Sequence, residues 1–232
     1  MNRQERVAIH AALGDEHRLQ IAEALAITDL TVGEIRVLTN MPSNLLAHHL
    51  DVLEEAGVIE RRTSEGDRRR RYVVLTPVAG PFVEAAMPVA IGTPLFVCTA
   101  NSARSQFAAA LWNHRTGSAS LSAGTEPSDT VNASAVRIAS DFGLDLSGAV
   151  PHGYRDVATA PAVIISVCDR AGESPIPFEA PHLHWSVPDP VASGTDDSFR
   201  SAFRDIEHRI DRLLELAVSR DTETHDNRSP TR

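Results

Sequence analysis

The sequence predicts an α/β protein in two parts, a mostly helical winged helix-turn-helix followed by a parallel-sheet α/β domain. Three observations carry this. Apolar residues recur at helical spacing, with caps, through the first 56 residues. The period then changes to two short strands around a turn. From Pro94 onward short apolar strands alternate with helices, the order that builds a parallel sheet.

Val7, Ile9, Leu13, Leu19, Ile21, Ala22 and Leu25 mark one or two helices broken at Gly14-Asp15, with Asp15 as an N-cap. Thr31 and Glu34 have capping-box spacing at the start of a short helix bearing Ile35 and Leu38. After the turn Asn40-Met41-Pro42, Ser43 is expected to cap a helix running to about Ala56, with Leu46, Leu50 and Leu53 inward and Gly57 ending it. Strands at 58–62 and 71–75 flank the turn residues Ser64-Glu65-Gly66-Asp67. The expected division is 1–78 for the winged helix-turn-helix, 79–93 for a short helix and linker, 94–218 for the second domain, and 219–232 for a polar, disordered tail. Phe82 to Val89 is apolar enough for a dimer helix. In the second domain strands are expected at 95–97, 120–123, 162–167 and 182–185, and helices at 105–115, 132–142 and 198–218.

Every one of the 22 basic residues is arginine, and the net charge is −9. It is spread unevenly, −2 over residues 1–80 and −7 over the rest. The acidic whole argues against non-specific nucleic-acid binding, whereas the run Arg68, Arg69, Arg70, Arg71 gives the first part the local basicity of a DNA contact. No stretch of eighteen apolar residues occurs and the first residues lack an apolar signal core, so the expectation is a cytoplasmic protein with no membrane partner. With only Cys98 and Cys168, a disulfide scaffold is excluded. His182 and His184 share a strand face without a third ligand, and no metal site is expected.

The chemistry concentrates at 98–105, Cys-Thr-Ala-Asn-Ser-Ala-Arg-Ser, after a strand and at the start of a helix. A loop of this length can turn the backbone N–H groups of Thr99, Ala100, Asn101, Ser102 and Ala103 inward, and the helix N-terminus adds positive field. A phosphate-sized anion would sit over the Cys98 sulfur, with two oxygens in the fork of Arg104. The same field favours a thiolate nucleophile, which Ser105 can hydrogen-bond. Asn101 tolerates the left-handed backbone such a loop needs. Downstream, Asp189 in Val187-Pro188-Asp189-Pro190 follows a strand and is placed to act as general acid on a leaving oxygen.

VCTANSARS at 97–105, SAGTEPS at 122–128, VCDRAGES at 167–174 and HWSVPDP at 184–190 resemble the low-molecular-weight phosphotyrosine phosphatase fold, and within it the arsenate reductase branch. The resemblance implies Cys98 as nucleophile, Arg104 and the loop amides as oxyanion holders, Ser105 as thiolate support and Asp189 as acid. Two departures narrow it. Val191-Ala192-Ser193 stands where tyrosine phosphatases carry aromatic residues. Cys168 matches the first of a reductase cysteine pair, but Ser174 stands near the second. The expectation is therefore thiol-dependent arsenate reduction with no tightly bound cofactor. An external thiol, mycothiol or glutathione with a glutaredoxin-type partner, supplies the second sulfur, and Cys168 is the alternative.

ALGDEHRLQIAEAL at 12–25, LAHHLDVLEEAGVI at 46–59 and ERRTSEGDRRRRYVVL at 60–75 resemble the arsenic-repressor (ArsR) group of winged helix-turn-helix regulators. This implies a homodimer on a double-stranded operator, with Ser43, Asn44 and His48 facing the major groove and Arg68 to Arg71 on phosphates or in the minor groove. The expected function is a bifunctional arsenic-responsive regulator and arsenate reductase. The alternatives are a regulator with a non-turnover oxyanion sensor, or a tyrosine phosphatase fused to a regulator.

Overall fold

The structure, a computed structural model, describes residues 1–85 and 91–225. Helix α1 (Arg3–Leu13) starts from a capping box in which Asn2 accepts from the Glu5 N–H and the Glu5 carboxylate accepts from the Asn2 N–H. Asp15 caps α2 (Glu16–Ala24) through the Arg18 N–H. A two-residue strand, β1 (Leu30–Thr31), leads into α3 (Val32–Thr39), which opens on the Thr31–Glu34 capping box that the sequence predicts. Asn40, left-handed at φ 51°, ends α3.

Helix α4 (Ser43–Glu55) corrects one expectation: its cap is Pro42, and Ser43 is already helical. Pro42 is fixed near φ −58° with an extended ψ, and its carbonyl accepts the first helical bond from the Leu46 N–H at 3.0 Å, so no side-chain cap forms. Strands β2 (Ile59–Thr63) and β3 (Arg71–Leu75) pair antiparallel as a hairpin, the wing. Strand β1, too short to show a period in sequence, pairs on the other side of β3. Ile9, Ile21, Ile35, Leu46, Leu50, Leu53 and Val73 close this core.

Of the short helix expected within 79–93, the described residues hold only a 3₁₀ turn at Gly80–Phe82. Pro81 fits this tight turn, and Val83 is already extended at φ −130°, which stops helix propagation. Residues 86–90, most of the stretch read as a dimer helix, lie outside the described residues.

The second half alternates β4 (Pro94–Cys98), α5 (Arg104–Thr116), β5 (Leu121–Gly124), α6 (Ala133–Asp141), β6 (Val163–Ser166), the single turn α7 (Asp169–Gly172), β7 (His182–His184), the single turn α8 (Pro190–Ser193) and α9 (Asp196–His225). The four strands are all parallel, in the order β5-β4-β6-β7. The central strands β4 and β6 are fully buried and, apart from Ser166, apolar, as parallel strands covered on both faces are expected to be. Phe107 on α5 meets Phe203 on α9 edge to face at 5.2 Å, and Phe142 stacks on Phe203 at 4.2 Å. Helix α9 continues through 219–225, which corrects the tail expected to be disordered from 219. No glycine or proline occurs between Gly194 and Pro230 to end it. Residues 226–232 lie outside the described residues.

The halves meet along the edge strand β7. The Asp29 N–H donates to the His184 carbonyl at 2.7 Å, the His184 N–H donates to the Thr28 hydroxyl at 2.9 Å, and the Trp185 indole N–H donates to the Ile27 carbonyl at 2.9 Å. Asp29 is buried and accepts from the Ser186 N–H at 2.7 Å and from Arg209 at 3.0 Å. Arg62 on the wing reaches the Ser186 carbonyl at 2.7 Å and Asp205 at 2.8 Å. The segment before β1 thus covers a sheet edge that would otherwise present unpaired backbone groups.

Candidate active site

The loop 98–105 runs from the carboxyl end of β4 into α5. Its carbonyls point away from the centre, onto the segment after β5. The carbonyls of Cys98, Thr99, Ala100 and Ser102 accept from the N–H groups of Thr125, Glu126, Ser128 and Asn132 at 2.9–3.1 Å. With the carbonyls held outside, the loop N–H groups are left to face inward. Gly124 makes this contact possible, since a Cβ there would lie 2.6 Å from the Thr99 carbonyl oxygen. The motif SAGTEPS at 122–128 carries this contact, although its sequence alone assigns no role to Gly124 or to residues 129–132.

Asn101 locks the loop. It is fully buried and left-handed at φ 48°, as the sequence suggested. Its Oδ1 accepts the His152 backbone N–H at 2.8 Å, which orients the amide so that Nδ2 donates to the Ser105 hydroxyl oxygen at 2.8 Å. That oxygen already accepts a proton, so its own hydrogen is free to point at the Cys98 sulfur, 3.0 Å away. The Asn101 N–H also donates to the sulfur, at 3.2 Å. Two donors therefore converge on a buried sulfur, an arrangement that suits negative charge. Gln106, buried beside them, donates to the Asn101 carbonyl and Oδ1, both at 3.1 Å.

Arg104, buried, donates to the Val187 carbonyl at 2.8 Å and pairs with Asp189 at 3.2 Å and with Glu65, on the loop between β2 and β3, at 3.3 Å. Burial opposes its charge, and Cys168, Asp189, Cys98 and Glu65 outweigh burial, so its pKa is raised. Asp189 is the N-cap of α8 and accepts from the Val191 N–H. Over the loop lies a cavity of about 180 Å³, walled also by Arg170, Asp189 and Val191. Its volume suits a tetrahedral oxyanion, and no aromatic side chain lines it among the described residues.

Cys168 is the N-cap of α7, where its sulfur accepts from the Ala171 N–H at 3.4 Å and lies 3.5 Å from the Thr99 hydroxyl. The register Val97↔Ser166 puts Cys98 and Cys168 at the carboxyl ends of adjacent strands. Burial, and then the Cys98 charge, push the Cys168 thiol up. Tyr154 also feels the charge of the pair. Its pKa is pushed up to about 12 by burial and the two sulfurs, and its buried hydroxyl has no hydrogen-bond partner among the described residues.

Residues 94–224 match the family model of the low molecular weight phosphotyrosine protein phosphatases, more than half of the chain. The chain belongs to this family. Residues 16–70 match the MarR family model, so the N-terminal part of this phosphatase-family protein carries a helix-turn-helix domain of MarR type; the finer arsenic-repressor type is not what that model describes. Among solved structures, the chain is similar to an arsenate reductase from Archaeoglobus fulgidus DSM 4304, at 27% identity and a TM-score of 0.48, covering 53% of this chain and 99% of that one. It is also similar to the tyrosine phosphatase Wzb from Escherichia coli K30 in complex with sulphate, at 23% identity and a TM-score of 0.45, covering 54% and 98%.

The other predicted residues lie elsewhere. Ser43, Asn44 and His48 are exposed on α4, and Arg68, Arg69, Arg70 and Arg71 are exposed on the wing, Arg69 paired with Asp67 at 2.9 Å. Glu65 was not foreseen at the site. Sequence gave no signal for it, since it lies 39 residues from Arg104 and 124 from Asp189. Among the described residues no helix is long and apolar enough to cross a membrane.

Proposed function

We propose that the second half is a thiol-dependent arsenate reductase and that the first half, as a dimer on an operator, makes the chain an arsenic-responsive regulator of arsenic-repressor type as well as an enzyme. Cys98 attacks arsenic held by the loop amides and Arg104; an S–As bond forms, and an As–O bond breaks as Asp189 protonates the departing oxygen, which leaves as water. The Cys168 sulfur then attacks the Cys98 sulfur. The S–As bond breaks with its electron pair left on arsenic, so arsenic(V) becomes arsenic(III) and leaves as arsenite while the two thiols become a disulfide. An external thiol, of the mycothiol or glutathione kind, reduces that disulfide by exchange.

The observation that carries this reading is the second sulfur beside the oxyanion loop: phosphate-ester hydrolysis has no use for it, and two-electron reduction does. It moves the external thiol from the second step, where the sequence placed it, to the recycling step. The aliphatic mouth at Val191 also fits a bare oxyanion better than a phenyl ring. The test is arsenite formation in a single turnover without added thiol. Wild-type protein yields about one arsenite per chain, Cys168→Ser yields none until thiol is added, and Cys98→Ser yields none with or without it. Arsenate reduction by Cys98→Ser, or rapid aryl-phosphate hydrolysis without arsenite formation by the wild type, would overturn the proposal.

One observation favours a second reading, an oxyanion sensor: a carboxylate of the DNA-binding half already occupies Arg104.

A further inference from the structure

The wing tip is seated in the phosphatase-family half by contacts of both its backbone and its side chains. The Glu65 N–H donates to Asp169 at 2.8 Å, and the Asp67 N–H donates to Glu173 at 2.8 Å. Ser64, buried, donates its hydroxyl to Glu173 at 2.7 Å, and Tyr72 reaches the same carboxylate at 3.2 Å. Gly66 permits the approach, because a Cβ there would stand 2.3 Å from a Glu173 carboxylate oxygen and 3.4 Å from the Arg170 Cα. In this seat the Glu65 side chain enters the oxyanion site. One oxygen pairs with Arg104 at 3.3 Å and the other accepts the Asp189 N–H at 2.8 Å. Arg104 is the fork that an oxyanion needs, and Glu65 supplies the negative charge in its place.

We propose that the loop at Cys98 is also the effector site of the DNA-binding half, and that Glu65 is a tethered carboxylate which a tetrahedral oxyanion displaces, releasing the wing. The inference rests on the oxyanion-binding part of the function proposed above. A doubly charged anion on the loop faces the Glu65 carboxylate across Arg104, and like charges exclude one another there. Once the Glu65 carboxylate leaves Arg104 and the Asp189 N–H, the tip keeps its bonds to Asp169, Arg170 and Glu173. The arginine run begins one residue after Asp67, so a seated tip and a tip laid on DNA are alternatives. Oxyanion and DNA both compete with the seated state, and linkage makes each raise the affinity of the other. If the seated wing is favoured about tenfold, it weakens the apparent oxyanion affinity by about the same factor.

The experiment uses the full chain with inorganic phosphate, which is not reduced, as the probe. Calorimetry gives its Kd for wild type, Glu65→Gln, and Gly66→Ala, which unseats the tip while keeping the carboxylate. Amide hydrogen exchange reads Glu65 and Asp67. Both variants are expected to bind phosphate about tenfold more tightly than wild type, and phosphate should speed exchange at both amides about tenfold in wild type. Equal phosphate affinity in all three proteins, or exchange unchanged by saturating phosphate, overturns the gate while leaving the loop an anion site. Phosphate binding by none of them overturns the oxyanion reading and the gate with it. A third arm measures wild-type affinity for a duplex taken from upstream of its own coding sequence, with and without phosphate. Weaker or unchanged binding in phosphate overturns the coupling to DNA.

Discussion

Replacing Asp29 by alanine tests the seam between the halves. Its carboxylate is buried and makes two bonds across the seam, to the Ser186 N–H at 2.7 Å and to Arg209 at 3.0 Å. Removing it leaves the Ser186 N–H buried without an acceptor, a loss of about 1–3 kcal/mol. It also removes one of the two carboxylates on Arg209. Burial opposes the Arg209 charge, and Asp29 and Asp205 together outweigh it and raise its pKa. Breaking a buried pair outright costs about 3–5 kcal/mol, but Asp205 remains bonded to Arg209 at 2.7 Å and holds much of that charge. The expected total is about 3 kcal/mol. Urea unfolding of the whole chain, followed by tryptophan fluorescence, would show the midpoint lowered by about 1 M for a slope near 3 kcal/mol/M. Trp185 lies in the seam, bonded to Ile27, so its signal reports this contact. Asp29→Asn keeps an acceptor for Ser186 and should lose less. A midpoint shift below about 0.2 M for Asp29→Ala, under roughly 0.6 kcal/mol at that slope, would refute the claim that these bonds hold the halves together.

Gly124→Ala should lower phosphate affinity at least tenfold with the far-ultraviolet circular dichroism unchanged, because the new Cβ strikes the Thr99 carbonyl; wild-type affinity would sink the account of the loop. Tyr154→Phe should leave stability unchanged or raise it by up to about 1 kcal/mol in urea melts, since the hydroxyl it removes is buried without a partner. Burial opposes the Asp169 charge, but bonds from His184, the Glu65 N–H and Ser186 prevail and hold its carboxyl below the ordinary value of 3.8. Its contribution to the wing seat is therefore complete above that value and is lost as pH falls through the lowered one. Wild-type stability should fall more steeply below about pH 4 than that of Asp169→Asn in parallel acid titrations, and identical slopes would contradict this.

What could be seen in the sequence was local. The Thr31–Glu34 box, the left-handed Asn101 and the strand-loop-helix around Cys98 each depend on residues within a few positions of one another, and each is present as expected. What escaped depends on distant partners or on the absence of a signal. Strand β1 is a strand only because β3 lies beside it. Ser43 has the chemistry of a cap, and Pro42 has the geometry of one. Helix α9 outlasts its apolar stripe because nothing in the polar sequence stops it. Glu65 read as an ordinary turn residue, and its place on Arg104 follows from the docking of two halves that no local pattern encodes.

The covered edge of β7 bears on how such a chain could be divided. A version cut after the wing would bare the His184 backbone and the Trp185 indole N–H to water, and would leave an open strand edge able to recruit another chain. The phosphatase-family half relies on its neighbour to cover that edge. A gene fission that separated the two would succeed only with new residues at 184–186 to close that edge.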